Sequence, residues 1–278
     1  MAALRRFLLR LTRRPLALLA LLLLVAIAAA VIAAPSLTPY SPTKIDIAHK
    51  LSPPDDAHAL GTDNFGRDLL SRIAFGGRST LLIGVLVVAL AFAAGVPIGV
   101  VSGTLGGTVD AILMRVVDAW LSFPGLVMAI LLAAILGAGL QNAMFAVALT
   151  YIPQFARMAR GQALAVRAQP FIEASQALGM SLPRLMVRHI FPNSLTPLLV
   201  QASLLIGSAI LQTASLGFLG LGAQPPLPEW GADVASNTEF LREAAWVAIY
   251  PGLAILLTVL GFNLLGDAIV DWLDPRRD

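Results

Sequence analysis

A polar, Arg-rich segment, RMARGQALAVRAQPFIEASQALGMSLPRLMVRHIFPN, runs from Arg157 to Asn193 in a chain that is otherwise oily. Its residue types suit docking rather than bond-making. Pro170 fits the first turn of a helix, where a missing N–H is no loss. Glu173 then falls in that first turn, where a carboxylate meets the positive end of the helix macrodipole. Phe171, Ala174, Ser175 and Leu178 follow at i, i+3, i+4 and i+7 and share one face. Gly179 can take the left-handed conformation that closes such a helix. Ser181 is placed to cap the next piece, in which Arg184 and Arg188 stand one turn apart, and Pro192 is expected to stop it. The segment therefore reads as an apolar-faced helix, a hinge and a basic helix. It either rests on lipid or seats in another protein.

Other chemistry is largely excluded. A phosphate-binding P-loop needs Lys followed by Ser or Thr after a Gly-rich turn. The only lysines, Lys44 and Lys50, precede Ile45 and Leu51. His49, His58 and His189 form no H-E-x-x-H metal signature, and no Ser within an apolar run has a His partner. The absence of cysteine removes disulfides, thiol catalysis and Cys-bound metal. Gly217, Gly220 and Gly222 lack the strand–helix setting of a dinucleotide loop and read as close packing or a tight turn. Asp110, Arg115 and Asp118 fall at one end of an apolar run. The i, i+3 spacing of the last two predicts a local ion pair, with a gate or partner-facing role as the functional alternative. Asp267 and Asp271 are one turn apart near the end of the last apolar run, where contact with a neighbouring subunit or water is favoured over cation coupling.

These residues must be positioned by a membrane bundle. Apolar residues make up 58% of the 278 and charged ones 13%, with a mean hydropathy of +0.81. The net charge of +3 comes from Arg beside apolar runs, not from a basic patch interleaved with aromatics, which excludes nucleic acid as a partner. Crossing a bilayer takes about 20 apolar residues as helix. Six spans are expected, near Leu16–Ala34, Ser79–Val101, Val109–Leu136, Asn142–Arg157, Ser194–Leu219 and Ala245–Val270, with breaks or kinks at Pro124, Pro153 and Pro251. Arg5, Arg6, Arg10, Arg13 and Arg14, the Arg157–Asn193 loop, and Arg276 and Arg277 all fall inside if both termini are cytoplasmic. Lys44, Lys50, Arg67, Arg72 and Arg78 then lie outside, against the rule. The first span exceeds the usual 7–15-residue core of a signal peptide and reads as a retained anchor. Pro35–Leu60 reads as an exposed linker. The expected division is 1–76 anchor and linker, 77–266 permease domain and 267–278 cytoplasmic tail.

The loop resembles the EAA signature of ATP-binding-cassette importer permeases, E-A-A-x3-G-x9-I-x-L-P. Glu173, Ala174 and Ser175 fall on the E-A-A, Gly179 on the glycine and Pro192 on the final proline; Ser175, His189 and Phe191 depart from it. The form from Arg188 to Asn193, with Leu60–Arg72, Phe218–Gly231 and Pro251–Arg276, is similar to the C-type subunit of dipeptide, oligopeptide and nickel importers. The resemblance implies an all-α, type I importer permease at the bacterial inner membrane, carrying no catalytic residue or cofactor of its own. Its coupling helix, Glu173 to Gly179 with Leu178, Arg184 and Arg188 around it, would seat in an ATPase subunit. The expected partners are a homologous B-type permease, two ATPase subunits that bind ATP and Mg, an extracytoplasmic binding protein and lipid. Pro225, Pro226, Pro228, Glu229 and Trp230 would form either a structural lid or the binding protein's seat. Dipeptides, oligopeptides, glutathione, nickel chelates and opine- or sugar-like solutes all suit such signatures. An ion-coupled secondary transporter would instead need mid-membrane charges and an inverted repeat, and neither is evident.

Overall fold

The computed structural model describes residues 15–273, with side chains described as far as Val270. The terminal arginines Arg5, Arg6, Arg10, Arg13, Arg14, Arg276 and Arg277 lie outside the described residues. Regular structure among the described residues is helical, with a largely irregular linker over 38–68; the main helices are α1 Pro15–Ile32, α2 Leu69–Leu105, α3 Gly107–Leu121, α4 Gly125–Leu136, α5 Leu140–Arg167, α6 Pro170–Ala177, α7 Leu182–Leu185, α8 Phe191–Phe218, α9 Trp230–Asn237 and α10 Trp246–Leu273.

Four stretches are long and apolar enough to cross a membrane alone: Pro15–Ile32, Leu69–Leu105, Leu182–Phe218 and Trp246–Val270. The 37 residues of α2 extend about 55 Å against a hydrocarbon core of about 30 Å, so its polar first turns project beyond it. Helix α5 is long enough to cross but less apolar. It packs on α2, α4 and α8 and buries Ala143, Val147, Tyr151, Phe155, Ala159 and Ala163, so it is surrounded by protein and need not be greasy all round.

The expected third span is not one helix. Helices α3 and α4 meet at 89° across Ser122–Pro124, because Pro124 holds an extended conformation at the N-cap of α4 and disfavours helix in the residue before it. Pro153 and Pro251, by contrast, sit inside helices that continue through them. Pro192 does not stop the basic helix either. Helix α7 runs through a π-helical turn, Met186–Ile190, directly into α8. The wider turn, closed by Phe191 N–H donating to Met186 O, accommodates a residue with no N–H and a bulky ring. Asn193 Nδ2 donates to His189 O at 2.6 Å and Ser194 Oγ to Ile190 O at 2.8 Å, satisfying nearby carbonyls. The expected boundaries at 76/77 and 266/267 fall inside α2 and α10, where the backbone shows no break.

The bundle is closed by small residues. A Cβ on Gly95, Gly99 or Gly103, one helical turn apart on α2, would collide with Ile152 O, Ala156 O and Arg160 O respectively, the last at 2.7 Å. Backbone therefore meets backbone along α2 and α5, the small-residue packing that replaces the hydrophobic effect inside a membrane. Gly99→Leu is expected to destabilise by more than the roughly 1–3 kcal/mol of ordinary overpacking, because the obstacle is main chain. Gly161, with nothing within 4 Å of a built Cβ, should tolerate Gly161→Ala. Thermal unfolding of the detergent-purified protein distinguishes the two, and equal melting points would refute the close approach.

Candidate functional sites at the two ends of the bundle

At the end where α5 meets α8, the hinge loop stands on one buried side chain. Ile172 of α6 is buried in the same apolar cluster as Leu185 and Ile190, which fixes the helix to the bundle. Phe171 and Leu178 turn outward, Leu178 being 90% exposed. Ser175 Oγ donates to Phe171 O at 2.7 Å, and Glu173 lies exposed in the first turn. The left-handed closure expected of Gly179 is present at φ +82°. Its N–H donates to Gln176 O, and Met180 N–H reaches back to Ser175 O at 3.1 Å, the paired bonds that finish a helix at glycine. Ser181 occupies the N-cap of α7, yet its side chain makes no capping bond; its carbonyl accepts from Leu185 N–H. Arg184 and Arg188 are exposed.

The expected Arg115–Asp118 pair does not form. Asp118 accepts from Arg157 Nη2 at 2.5 Å. Asp110 accepts from Arg160 through Nε and Nη2 at 2.5 and 2.6 Å, and also from Ser102. The bidentate fork between helices is the stronger arrangement, and Arg115 is left exposed. These contacts clip α3 to α5. Asp267 is exposed, and the side chain of Asp271 lies outside the described ones.

The opposite end carries a polar core that sequence reasoning missed. Arg72, in the first turn of α2, donates Nε to Asp233 Oδ1 at 3.0 Å and bonds the same oxygen through Nη2. Its Nη1 donates to Pro42 O at 3.0 Å and Pro226 O at 3.4 Å, and its Nη2 to Leu227 O at 3.5 Å. One guanidinium thus ties the linker, the α8–α9 loop and α9 to α2. Asp63 accepts from Arg67 Nε at 2.6 Å and from the N–H groups of Phe65 and Arg67. Asp68 caps α2 through Ser71 N–H at 2.8 Å, with His58 Nδ1 2.9 Å away. Arg78 donates to Val31 O and Ile32 O, the final carbonyls of α1. Three of the five basic residues that strained the topology rule are therefore engaged by carboxylates or carbonyls. Short-range signals, such as the i, i+4 spacing of Asp63 and Arg67, could have found half of this core. The Arg72–Asp233 pair spans 161 positions and left none.

The expected docking loop is mostly internal. Pro228, Glu229 and Trp230 are buried, which leaves Pro225 and Pro226 as its exposed members. Glu229 accepts from the N–H groups of Gly231 and Ala232, capping α9, and from Thr80 Oγ1. Burial pushes its carboxyl above the ordinary carboxylate range despite those donors. Trp230 Nε1 donates to Ile73 O at 2.9 Å. These two residues build the end of the bundle and present nothing to a partner.

Residues 95–278 match the family described as "Binding-protein-dependent transport system inner membrane component", and residues 3–54 match the "N-terminal TM domain of oligopeptide transport permease C". The chain belongs to that inner-membrane component family, as a C-type permease subunit of an ABC transporter. It is 51% identical over 242 residues to the probable D,D-dipeptide transport system permease protein of Escherichia coli (strain K12), covering 87% of this chain and 81% of that one. It is 41% identical over 267 residues to the dipeptide transport system permease protein of Alkalihalophilus pseudofirmus, covering 96% and 88%. Its fold is shared with the inward-facing MetNI methionine ABC transporter, at a TM-score of 0.59, 21% identity and coverage of 74% of this chain and 96% of that one.

Asp233→Leu leaves the buried Arg72 with backbone carbonyls and only the more distant Asp63 carboxylate, at 3.7 Å, and is expected to cost about 3–5 kcal/mol. Adding Arg72→Met should recover much of that loss. Unfolding curves of the two variants in detergent are the measurement, and an Asp233→Leu variant as stable as the parent would exclude the hub.

Proposed function

We propose that this permease carries dipeptides and other short peptides inward, and that α6 with Gly179 couples it to two ATPase subunits that hold ATP and Mg. The relatives at 41–51% identity, named for dipeptide transport, support the substrate class. The observation that carries the coupling is a short helix fixed by Ile172 on one side, with Phe171, Ala174 and Leu178 uncovered on the other. A bare apolar face on a rigid mount is a socket-filling element.

The mount is also a lever. Helix α6 follows α5 after two residues, and α7 passes through the π turn into α8 without interruption. A pull on α6 therefore acts on both central helices at once. The Asp110–Arg160 and Asp118–Arg157 clips pass the displacement to α3, and α4 follows across the bend at Pro124. Closure of the ATPase pair would drive the rigid-body exchange between inward- and outward-open forms. Arg184 and Arg188 would face the ATPase surface, with Arg115, Asp267 and Asp271 as further contacts near that end. A homologous B-type permease would complete the pathway. A binding protein would deliver peptide at the opposite end, meeting Pro225 and Pro226. Both termini and the hinge loop would be cytoplasmic.

The hinge gives a sharp test. At φ +82° a β-branched residue is strained, whereas Asn tolerates the left-handed region; nothing within 4 Å would obstruct either side chain's Cβ. Gly179→Val should abolish peptide-stimulated ATP hydrolysis by the assembled complex while leaving membrane insertion intact, and Gly179→Asn should retain most of it. Normal stimulation in the Val variant would sink the coupling role. Orientation is tested separately: in this cysteine-free chain, Thr43→Cys and Gln169→Cys should react with an impermeant maleimide from opposite faces of the membrane. Labelling from one face would reverse the topology.

A further inference from the structure

Beside the Arg72 hub, at the end of the bundle away from the hinge loop, lies a cleft of about 310 Å³ whose walls include Phe65, Arg67, Phe218, Gln224, Leu227 and Asp233. That volume is at the lower end of the range for small-molecule sites. Two of its charged groups are incompletely engaged. Arg67 is 5% exposed and gives Nε to Asp63, but among the described residues its two terminal nitrogens donate no hydrogen bond. Its guanidinium lies 4.8 Å from the ring centre of Phe65, which holds the plane of the fork steady. Asp233 is 1% exposed and gives Oδ1 to Arg72, while its Oδ2 has no partner among the described residues. A buried polar atom left unpaired costs about 1–3 kcal/mol, which applies to Asp233 Oδ2; the Arg67 fork, with only Nε engaged, has donors to spare.

We infer that this cleft is a peptide site: Arg67 receives the C-terminal carboxylate of a short peptide, and Asp233 attracts its α-ammonium. An Arg fork matches a carboxylate in two parallel bonds. Opposite charges on two walls favour a zwitterion over a simple anion or cation. Phe65, Phe218 and Leu227 provide apolar surface for side chains without selecting among them. The site rests on the reading of the chain as a peptide importer and adds to it a contact on the permease itself, beyond whatever a binding protein selects.

The test uses the assembled complex in proteoliposomes, without binding protein, carrying Ser236→Cys as the sole cysteine on the cleft wall. L-alanyl-L-alanine should slow maleimide labelling several-fold. Its C-terminal amide and its N-acetyl form should each protect far less. Ala235→Phe, which fills the cleft and leaves every ion pair in place, should abolish protection. The Asp63→Asn, Arg67→Gln double variant, which removes the fork without leaving a lone buried charge, should do the same. Absence of protection by dialanine, or equal protection by the amide, overturns the assignment. So does protection by binding protein alone, which would make the cleft a protein contact. ATP-driven dialanine uptake by the parent complex with its binding protein is the separate control: uptake without protection refutes only this site, whereas no uptake refutes the importer reading.

Discussion

The pairing of Arg72 with Asp233, two guanidinium donors on one carboxylate oxygen, is the constraint on which the far end of the molecule depends. Removing two such ions from water costs several kcal/mol each, and their attraction offsets this only when the remaining hydrogen-bonding capacity is also met. Here it is met on the Arg72 side by the carbonyls of Pro42, Pro226 and Leu227. Segments far apart in sequence thereby acquire fixed positions around one planar group. Trp230 and Glu229 complete the closure from inside, through Ile73 O and the first N–H groups of α9. Because Arg72 is fully engaged and Arg67 is not, the two arginines of one short segment have different work: one holds the scaffold and the other faces the cleft.

The other end is organised on a different principle. No buried ion pair among the described residues secures α6; a single apolar side chain, Ile172, does. An apolar anchor is non-directional, so it fixes the helix while leaving its polar first turn and outer face uncommitted. Stiffness is supplied by the chain on either side of it. The π turn carries the backbone past Pro192 without a break, which makes α7 and α8 one continuous stretch. The glycine stripe of α2 brings its backbone against that of α5, so that the second helix moving with the loop is held against the longest one in the bundle.

The two ends also differ in how their charges are screened. Of the clips between α3 and α5, the Asp118–Arg157 pair is more than half exposed and such pairs contribute at most about 1 kcal/mol, whereas the Asp110–Arg160 fork is partly buried. The Asp118–Arg157 pair can therefore break at little cost. The Arg72–Asp233 pair cannot, since its rupture would strand buried charge.

Much of this was legible in the sequence because it is local. Apolar run length identified the spans, Pro170 and Glu173 marked the start of a helix, and the left-handed position at Gly179 came from the one residue type that occupies it freely. The basic residues of 35–78 were legible as an anomaly but not as its solution. Arg67 pairs locally with Asp63, but the partners of Arg72 and Arg78 are a carboxylate 161 positions away and the last carbonyls of α1, and no local pattern encodes those pairings. Pro124 bends the chain as expected, whereas Pro192, expected to stop its helix, does not. A wider π turn carries the backbone past Pro192, whereas at Pro124 the chain turns. Pattern and propensity determined which segments are helices and where one must hinge; the choice of partner for each buried charge, and with it which arginine remained open to the cleft, was made only by packing, because desolvation is decided by the whole surrounding shell.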